Sequence, residues 1–303
     1  MEPNGAAGGG RDNQSAEETV RIMQGKQSPG WVEFWAMSHV GKVRPNNEDQ
    51  YLLCRLSKSL QVLQSSIPEG QSVAPTEREG YLMLVADGIG GAAGGEYASA
   101  VVVEEAKQHV LQTAKWFFSL DDPGEEIRIR QLREALERID RRLIEEATAN
   151  PTLTGMGTTL TAASLVDGDV FIVHVGDSRA YLLRDGRLIQ LTRDHTLTQR
   201  LLDAGVIAPE QAKLHKSRHV LTNALGGMPG VTGEIVKLCL TDGDRLLLCT
   251  DGLNDMVDDD RIGELLGTHH RPEEACQALV TAALERGGRD NVTVIVAAYT
   301  TKE

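Results

Sequence analysis

Aromatic side chains are scarce in this chain, 4% of 303 residues, although 41% of the residues are hydrophobic. Any core it builds is therefore aliphatic, made of Leu, Val, Ile and Ala. Basic charge is short as well: 31 Lys and Arg stand against 44 Asp and Glu, a formal net charge of -13. That balance argues against nucleic acid or an anionic membrane as the main partner. Part of the acidic excess fits carboxylates that await cations. Cysteine is limited to Cys54, Cys239, Cys249 and Cys276. None forms a CxxC pair, which predicts reduced, buried thiols and a cytoplasmic setting. No stretch is long and apolar enough to cross a bilayer, and the start of the chain lacks a basic region followed by an apolar one. A soluble cytoplasmic protein is expected.

What is present is organised around YLMLVADGIGGAAGGE, residues 81–96. The apolar run 81–86 reads as a buried strand ending on Asp87, and the glycines at 88, 90, 91, 94 and 95 leave the backbone bare for a ligand. Residues 1–30 read as a disordered tail with a short helix near 17–24, and residues 31–300 as one domain. WVEFWAMSHV reads as a strand, 51–54 begins a second, and 57–79 is a long polar insertion. Helices are predicted over 96–116 and 125–149, the latter from Leu132, Leu136, Ile139 and Leu143 at helical spacing. Strands follow at 158–166, 170–175, 180–183 and 188–191, with Asp167-Gly168 and Asp185-Gly186 as hairpin turns. Residues 192–218 read as a surface flap with a short helical turn at Pro209. Two more strands (235–240, 245–250), a helix from Pro272 to Arg286 stopped by Gly287-Gly288, and a last strand at 291–298 complete the pattern. Hairpins imply antiparallel pairing, so the class is an α+β sandwich of sheet and helices.

Four segments end in an aspartate beside glycine or asparagine: Asp87, Asp177, Asp251 and Asp290. Glu48 and Asp49 in RPNNEDQY form a fifth acidic pair. A lone aspartate of this kind is a turn residue; their recurrence asks for a shared cause. Packed together, carboxylates repel unless cations neutralise them. Oxygen-only ligands select hard cations, Mg or Mn rather than Zn. Two such ions roughly 3.5–4 Å apart would acidify a shared water to hydroxide. Asp87 is the natural bridging ligand, and Gly88 offers its backbone carbonyl. Arg44, four positions before Glu48, is suited to grip a phosphate through paired hydrogen bonds. Together these parts describe a phosphate-ester hydrolase that needs no nucleophilic side chain.

VGKVRPNNEDQY, VADGIGG, GMGTTLTAA, VHVGDSRAYLLRDGRLIQLTRDH, LLLCTDGL and GGRDNVTVIV, in that order over about 31–298, resemble the protein phosphatase 2C family in its bacterial form. The resemblance implies a four-layer α-β-β-α sandwich with two central antiparallel sheets and a dinuclear Mn or Mg site at one end. It implies Asp87 as bridging ligand, the Gly88 carbonyl on one ion, and Asp251 and Asp290 on the other. Glu48 and Asp49 would act through metal-held water, Arg44 on the phosphate, and Asp177 at a third, weaker ion near the flap. The substrates it implies are phosphoserine and phosphothreonine proteins, a cognate protein kinase among them. One departure stands out. Bacterial members commonly carry a histidine, a proposed general acid, where this chain has Ala92; other branches carry it at Ile89. Its loss would slow esters with poor leaving groups, unless His39, His174 or His195 substitutes.

Three other readings compete. Gly88, Gly90 and Ala93 match a G-x-G-x-x-A dinucleotide pattern, but Asp87 would repel a pyrophosphate and the hairpins contradict a crossover fold. Cys239 and Arg245 have C-x5-R spacing, but the loop between them carries two aspartates that raise the thiol pKa and repel phosphate. A catalytically impaired 2C-type fold that only binds phosphoproteins is the third.

Overall fold

In β4 (Arg78–Ile89), alternate side chains go to opposite faces and reach two different cores. Met83 and Val85 join a central cluster with Ile172, Leu248 and Ile295, while Leu84 and Ala86 join a second with Val102, Leu136 and Leu143. A sheet apolar on both faces must be covered on both, which builds a layered sandwich. The computed structural model describes residues 20–23, 30–58, 78–117, 124–166, 168–213, 215–227 and 230–301.

The first sheet runs β1 (Val20–Met23), β10 (Glu234–Cys239), β7 (Asp169–Val175), β6 (Leu160–Val166), β4, β3 (Asp49–Lys58), with the short β5 (Gly157–Thr158) on the end of β4. The second runs β2 (Gly30–His39), β12 (Val292–Thr301), β11 (Arg245–Cys249), β8 (Arg179–Arg184), β9 (Arg187–Gln190). Their facing sides enclose the central cluster. Helices α1 (Gly91–Phe117) and α2 (Glu125–Ala149) cover the first sheet; α6 (Asp259–Thr268) and α7 (Pro272–Glu285) cover the second through Leu266, Leu279 and Val294. The order is α-β-β-α, as expected. Asp185 (φ 51°) and Gly186 (φ 72°) both take left-handed backbone at the β8–β9 turn, the conformation a two-residue hairpin demands. Pairing is antiparallel throughout except between β1 and β10.

Three features depart from the sequence reading. Residues 20–23 form a parallel edge strand on β10, not part of a helix: Val20 and Ile22 are β-branched, and β10 offers an open edge. Helix α1 begins at Gly91, inside the stretch read as a loop, because its glycines let the first turn approach β4 closely. The short α5 (Asp251–Asn254) and α6 were not anticipated, although Asp258 caps α6 by accepting from the Arg261 N–H at 2.9 Å. In the flap lie α3 (Leu197–Asp203) and α4 (Pro209–Lys213), the latter at the expected proline. Residue 30, read as tail, starts β2, and residues 57–58 and 78–79, read as insertion, belong to β3 and β4; residues 1–19, 24–29 and 59–77 lie outside the described residues. Among the described residues no helix is long and apolar enough to cross a membrane.

Candidate metal centre

Register decides the first contact: Asp49, the first residue of β3, pairs with Asp87 near the end of β4. Two carboxylates thus start at neighbouring backbone positions. Asp87 is pinned there, its N–H donating to Thr159 Oγ1 (3.0 Å) and its carbonyl accepting from Thr158 Oγ1 (2.8 Å) and the Thr159 N–H (2.9 Å). The β7–β8 loop brings Asp177, the first turn of α5 brings Asp251, and the loop before β12 brings Asp290. These residues, with Arg44, Glu48 and Gly88, line one cleft of about 970 Å³. Asp49 is not among the lining residues. It is 4% exposed, and its Oδ2 accepts from Thr250 Oγ1 (2.8 Å) and Thr293 Oγ1 (2.7 Å). Buried Asn291 ties the rim: its Oδ1 accepts from the Glu48 N–H (2.8 Å), and its Nδ2 donates to the Val40 and Asn46 carbonyls (2.9 Å each).

Glycine is required where β4 meets α1. A Cβ on Gly88 would lie 2.2 Å from the Gly95 carbonyl oxygen, backbone that cannot swing aside. Gly88→Ala is therefore expected to cost about 1–3 kcal/mol in a urea titration and to weaken Mn binding by calorimetry. An unchanged midpoint with normal Mn binding would contradict the close approach.

The charges are crowded. Burial pushes the Asp87 carboxyl well above its ordinary value, and the charges of Asp49, Asp251, Asp177 and Asp290 push it further. Asp177 rises well above its ordinary value too, from burial first and Asp251 next. Asp49 is raised to about 7 by burial, against the lowering effect of its two threonine hydroxyls. Glu48 and Asp255 are raised, again chiefly by burial. Asp49 Oδ1 and Asp251 Oδ1 are buried without a hydrogen-bond partner. Unpartnered carboxylate oxygens in such a pocket are destabilising unless a cation meets them. The donor set is all oxygen and fits Mg or Mn.

Two cleft residues escaped the sequence reading. Asp255 follows Asp251 by four positions, one helical turn, a spacing that was visible in TDGLND. His219 left no signal. Its Nδ1 stands 3.4 Å from Asp255 Oδ2 and 3.8 Å from Asp251 Oδ2, and its Nε2 accepts from Arg218 Nε at 2.7 Å. The nearby carboxylates, Asp251 first and then Asp255, raise its pKa. Of the histidines put forward as substitutes, none lines the cleft. His39 Nδ1 accepts from the Gly41 N–H (2.9 Å), and fully buried His174 lies between Thr161 Oγ1 (2.9 Å) and the Arg193 carbonyl (3.1 Å). Ile89 lines the cleft and Ala92 falls in the first turn of α1.

His174, His195 and Glu234 also gather closely enough to suggest a metal. The hydrogen bonds argue otherwise. The Gly176 N–H donates to His195 Nδ1 (3.1 Å), which leaves the ring proton on Nε2, the nitrogen a cation would need. The C-x5-R reading fails on geometry. Cys239 Sγ donates to Asp169 Oδ1 (3.0 Å), while the Arg245 guanidinium donates to the carbonyls of Leu266, His269 and His270 at the end of α6.

A family model described as Protein phosphatase 2C matches residues 71–286. The chain belongs to the protein phosphatase 2C family. The serine/threonine protein phosphatase PstP of Mycobacterium tuberculosis is 42% identical over 271 residues, 88% of this chain and 45% of PstP. The 2C-family chain thus spans about half the length of that relative. Serine/threonine phosphatase stp of Listeria monocytogenes is 35% identical over 215 residues, 71% of this chain and 83% of stp. Among solved structures, M. tuberculosis PstP/Ppp superposes with a TM-score of 0.70 at 36% identity, over 88% of this chain and 98% of that one. The catalytic domain of PstP in complex with two manganese ions gives 0.68 at 35%, over 89% and 98%. Sandwich and family both agree with the 2C resemblance of the sequence motifs.

Proposed function

We propose that this chain is a metal-dependent serine/threonine protein phosphatase that hydrolyses phosphoserine and phosphothreonine esters without a covalent enzyme intermediate. One observation carries the reading: Asp87, half-buried at the end of β4, shares one cleft with Asp177, Asp251 and Asp290 and pairs in register with Asp49. The names of PstP and stp support it. Asp87, Asp251, Asp290 and the Gly88 carbonyl would hold a pair of Mn or Mg ions, Asp177 a weaker third, and Glu48 and Asp49 would act through intervening water. Such ions neutralise the carboxylates, polarise the phosphoryl oxygens and acidify water. The protein's own part is placement. The pinned backbone of Asp87 and the Asn291 bonds keep the carboxylates convergent while the ester enters. Arg44 Nη2 rests on Asp290 Oδ2 at 2.6 Å, half exposed, so its guanidinium is within reach of a phosphate at the cleft mouth. Substrates would be phosphorylated serine/threonine proteins, a cognate kinase among them.

The test is release of phosphate from a phosphothreonine peptide. Activity with Mn and none in EDTA is expected; retention in EDTA overturns the reading. Binding of the phosphopeptide without turnover in Mn would favour an impaired, phosphoprotein-binding module instead. Arg44→Ala is expected to raise KM about tenfold, the worth of one charge-assisted hydrogen bond, with a smaller change in kcat. An unchanged KM would remove Arg44 from the phosphate site.

A further inference from the structure

Asp177 sits on a loop that a neighbouring segment straps down residue by residue. Thr192 Oγ1 accepts from the Ala180 N–H (3.0 Å). The Arg193 carbonyl meets His174 Nε2 at 3.1 Å. Asp194 takes Arg179 in a two-pronged ion pair at 2.8 and 2.6 Å. The fourth residue, His195, grips Gly176 twice: its N–H donates to the Gly176 carbonyl (2.7 Å), and its Nδ1 accepts from the Gly176 N–H (3.1 Å). Gly176 has φ +110°, and a Cβ there would lie 2.5 Å from Thr159 Cγ2, so a side chain is excluded at this position. The residue after it is the cleft carboxylate.

The other side of the same histidine holds the flap. The His195 carbonyl accepts from the Thr222 N–H (2.8 Å), and the Leu197 N–H donates to the Val220 carbonyl (2.8 Å). Thr196 and Leu221 form a bridge between these two stretches. That pairing delivers Arg218, His219 and Leu221 to the cleft wall. One residue thus joins two parts of the site that are far apart in sequence.

We propose that His195 is a positioning residue: through Gly176 it sets where the Asp177 carboxylate stands, and through its backbone it holds the flap in register with that carboxylate. This rests on the phosphatase reading and deepens it. His195 touches no substrate; it acts by fixing a neighbour's place. What a substitution can remove is the Nδ1 acceptor, which takes the Gly176 N–H at 3.1 Å and also stands 3.3 Å from Asn223 Nδ2. Asparagine presents an acceptor oxygen at the equivalent branch of its side chain, whereas leucine presents none.

The experiment compares wild type, His195→Leu, His195→Asn, Asp177→Asn and the double variant His195→Leu/Asp177→Asn on a phosphothreonine peptide, with Mn binding followed by calorimetry. His195→Leu is expected to lower kcat about tenfold, the worth of one neutral hydrogen bond, with little change in KM. It should weaken the same Mn-binding event that Asp177→Asn weakens. His195→Asn should recover most of the loss. The double variant should be no slower than Asp177→Asn, because substitution leaves the backbone bonds to the flap in place and the side chain's effect runs through Gly176 to Asp177. Losses that multiply in the double variant, wild-type kcat in His195→Leu, or no recovery in His195→Asn would each overturn the proposal. If His195→Leu does not fold, His195→Asn against His195→Gln decides it, since the longer side chain displaces the acceptor: equal Mn binding and kcat would overturn the proposal. A wild type that turns over no phosphopeptide in Mn would instead sink the phosphatase reading itself.

Discussion

Asp87→Asn is expected to lower Mn-dependent phosphopeptide turnover by about a thousandfold or more while raising the melting temperature of the metal-free protein. Loss of activity follows from the cation-holding role proposed for this carboxylate. Lewis-acid stabilisation is worth several kcal/mol, and each 1.36 kcal/mol is about tenfold in rate. The gain in stability follows from crowding. The Asp87 carboxyl is pushed well above its ordinary value by burial and four neighbouring carboxylates, so the fold disfavours its ionised form when no cation is present. Removing that charge relieves the opposition, and each kcal/mol is about 2–4 °C in a domain of this size class. The backbone of Asp87 keeps its bonds to Thr158 and Thr159 whichever side chain it carries, so the exchange leaves the strand intact. The pair of readouts is demanding. A dead enzyme that also melts lower without metal would mean that Asp87 supports the fold and that its loss says nothing about cations. Retained Mn-dependent turnover would remove Asp87 from the metal centre.

The cleft's carboxylates were legible because chemistry forced them into a local pattern, an acidic side chain at a strand end with a small or amide neighbour. Asp87, Asp177, Asp251 and Asp290 all carry that mark, and all line one cleft. Asp49 carried the mark of its neighbour Glu48, and only register revealed that it lies beneath the cleft while Glu48 lines it. His219 carried none. It comes from a polar flap, and its place is set by pairing between 195–197 and 220–222, a tertiary fact without a periodicity. The sheets were legible from apolar runs and Asp-Gly turns. The start of α1 was not, since glycine is a poor helix former and its use here answers to the approach of Gly95 on Gly88. The parallel edge strand at Val20–Met23 has the same origin: a short β-branched run takes whatever edge is open, and sequence alone does not show an edge.

The sign of the pH dependence should reverse when metal is removed. In the metal-free fold Asp49 is raised to about 7, and Asp87, Asp177, Glu48 and Asp255 are raised as well. A raised carboxyl holds its proton more tightly folded than unfolded. Its contribution is fully present below the unfolded value of about 4 and is lost as pH rises through the folded value. For Asp49 that window is about pH 4 to 7, and for this one group the ceiling is on the order of 4 kcal/mol. The melting temperature in EDTA should therefore fall, by roughly 5–10 °C, between pH 5 and pH 8. Bound cations invert the argument. They favour the ionised carboxylates and drive the folded values below the unfolded ones, so the Mn-loaded protein should lose stability toward acid instead. Scanning calorimetry across pH, with EDTA and with Mn, reads both slopes. Asp49→Asn should flatten the EDTA slope, because the amide still accepts from Thr250 and Thr293 but has no proton to lose in this range. An EDTA slope that is flat or rises with pH would show that burial and crowding do not raise these carboxyls, and the electrostatic case for a cation centre would fail with it.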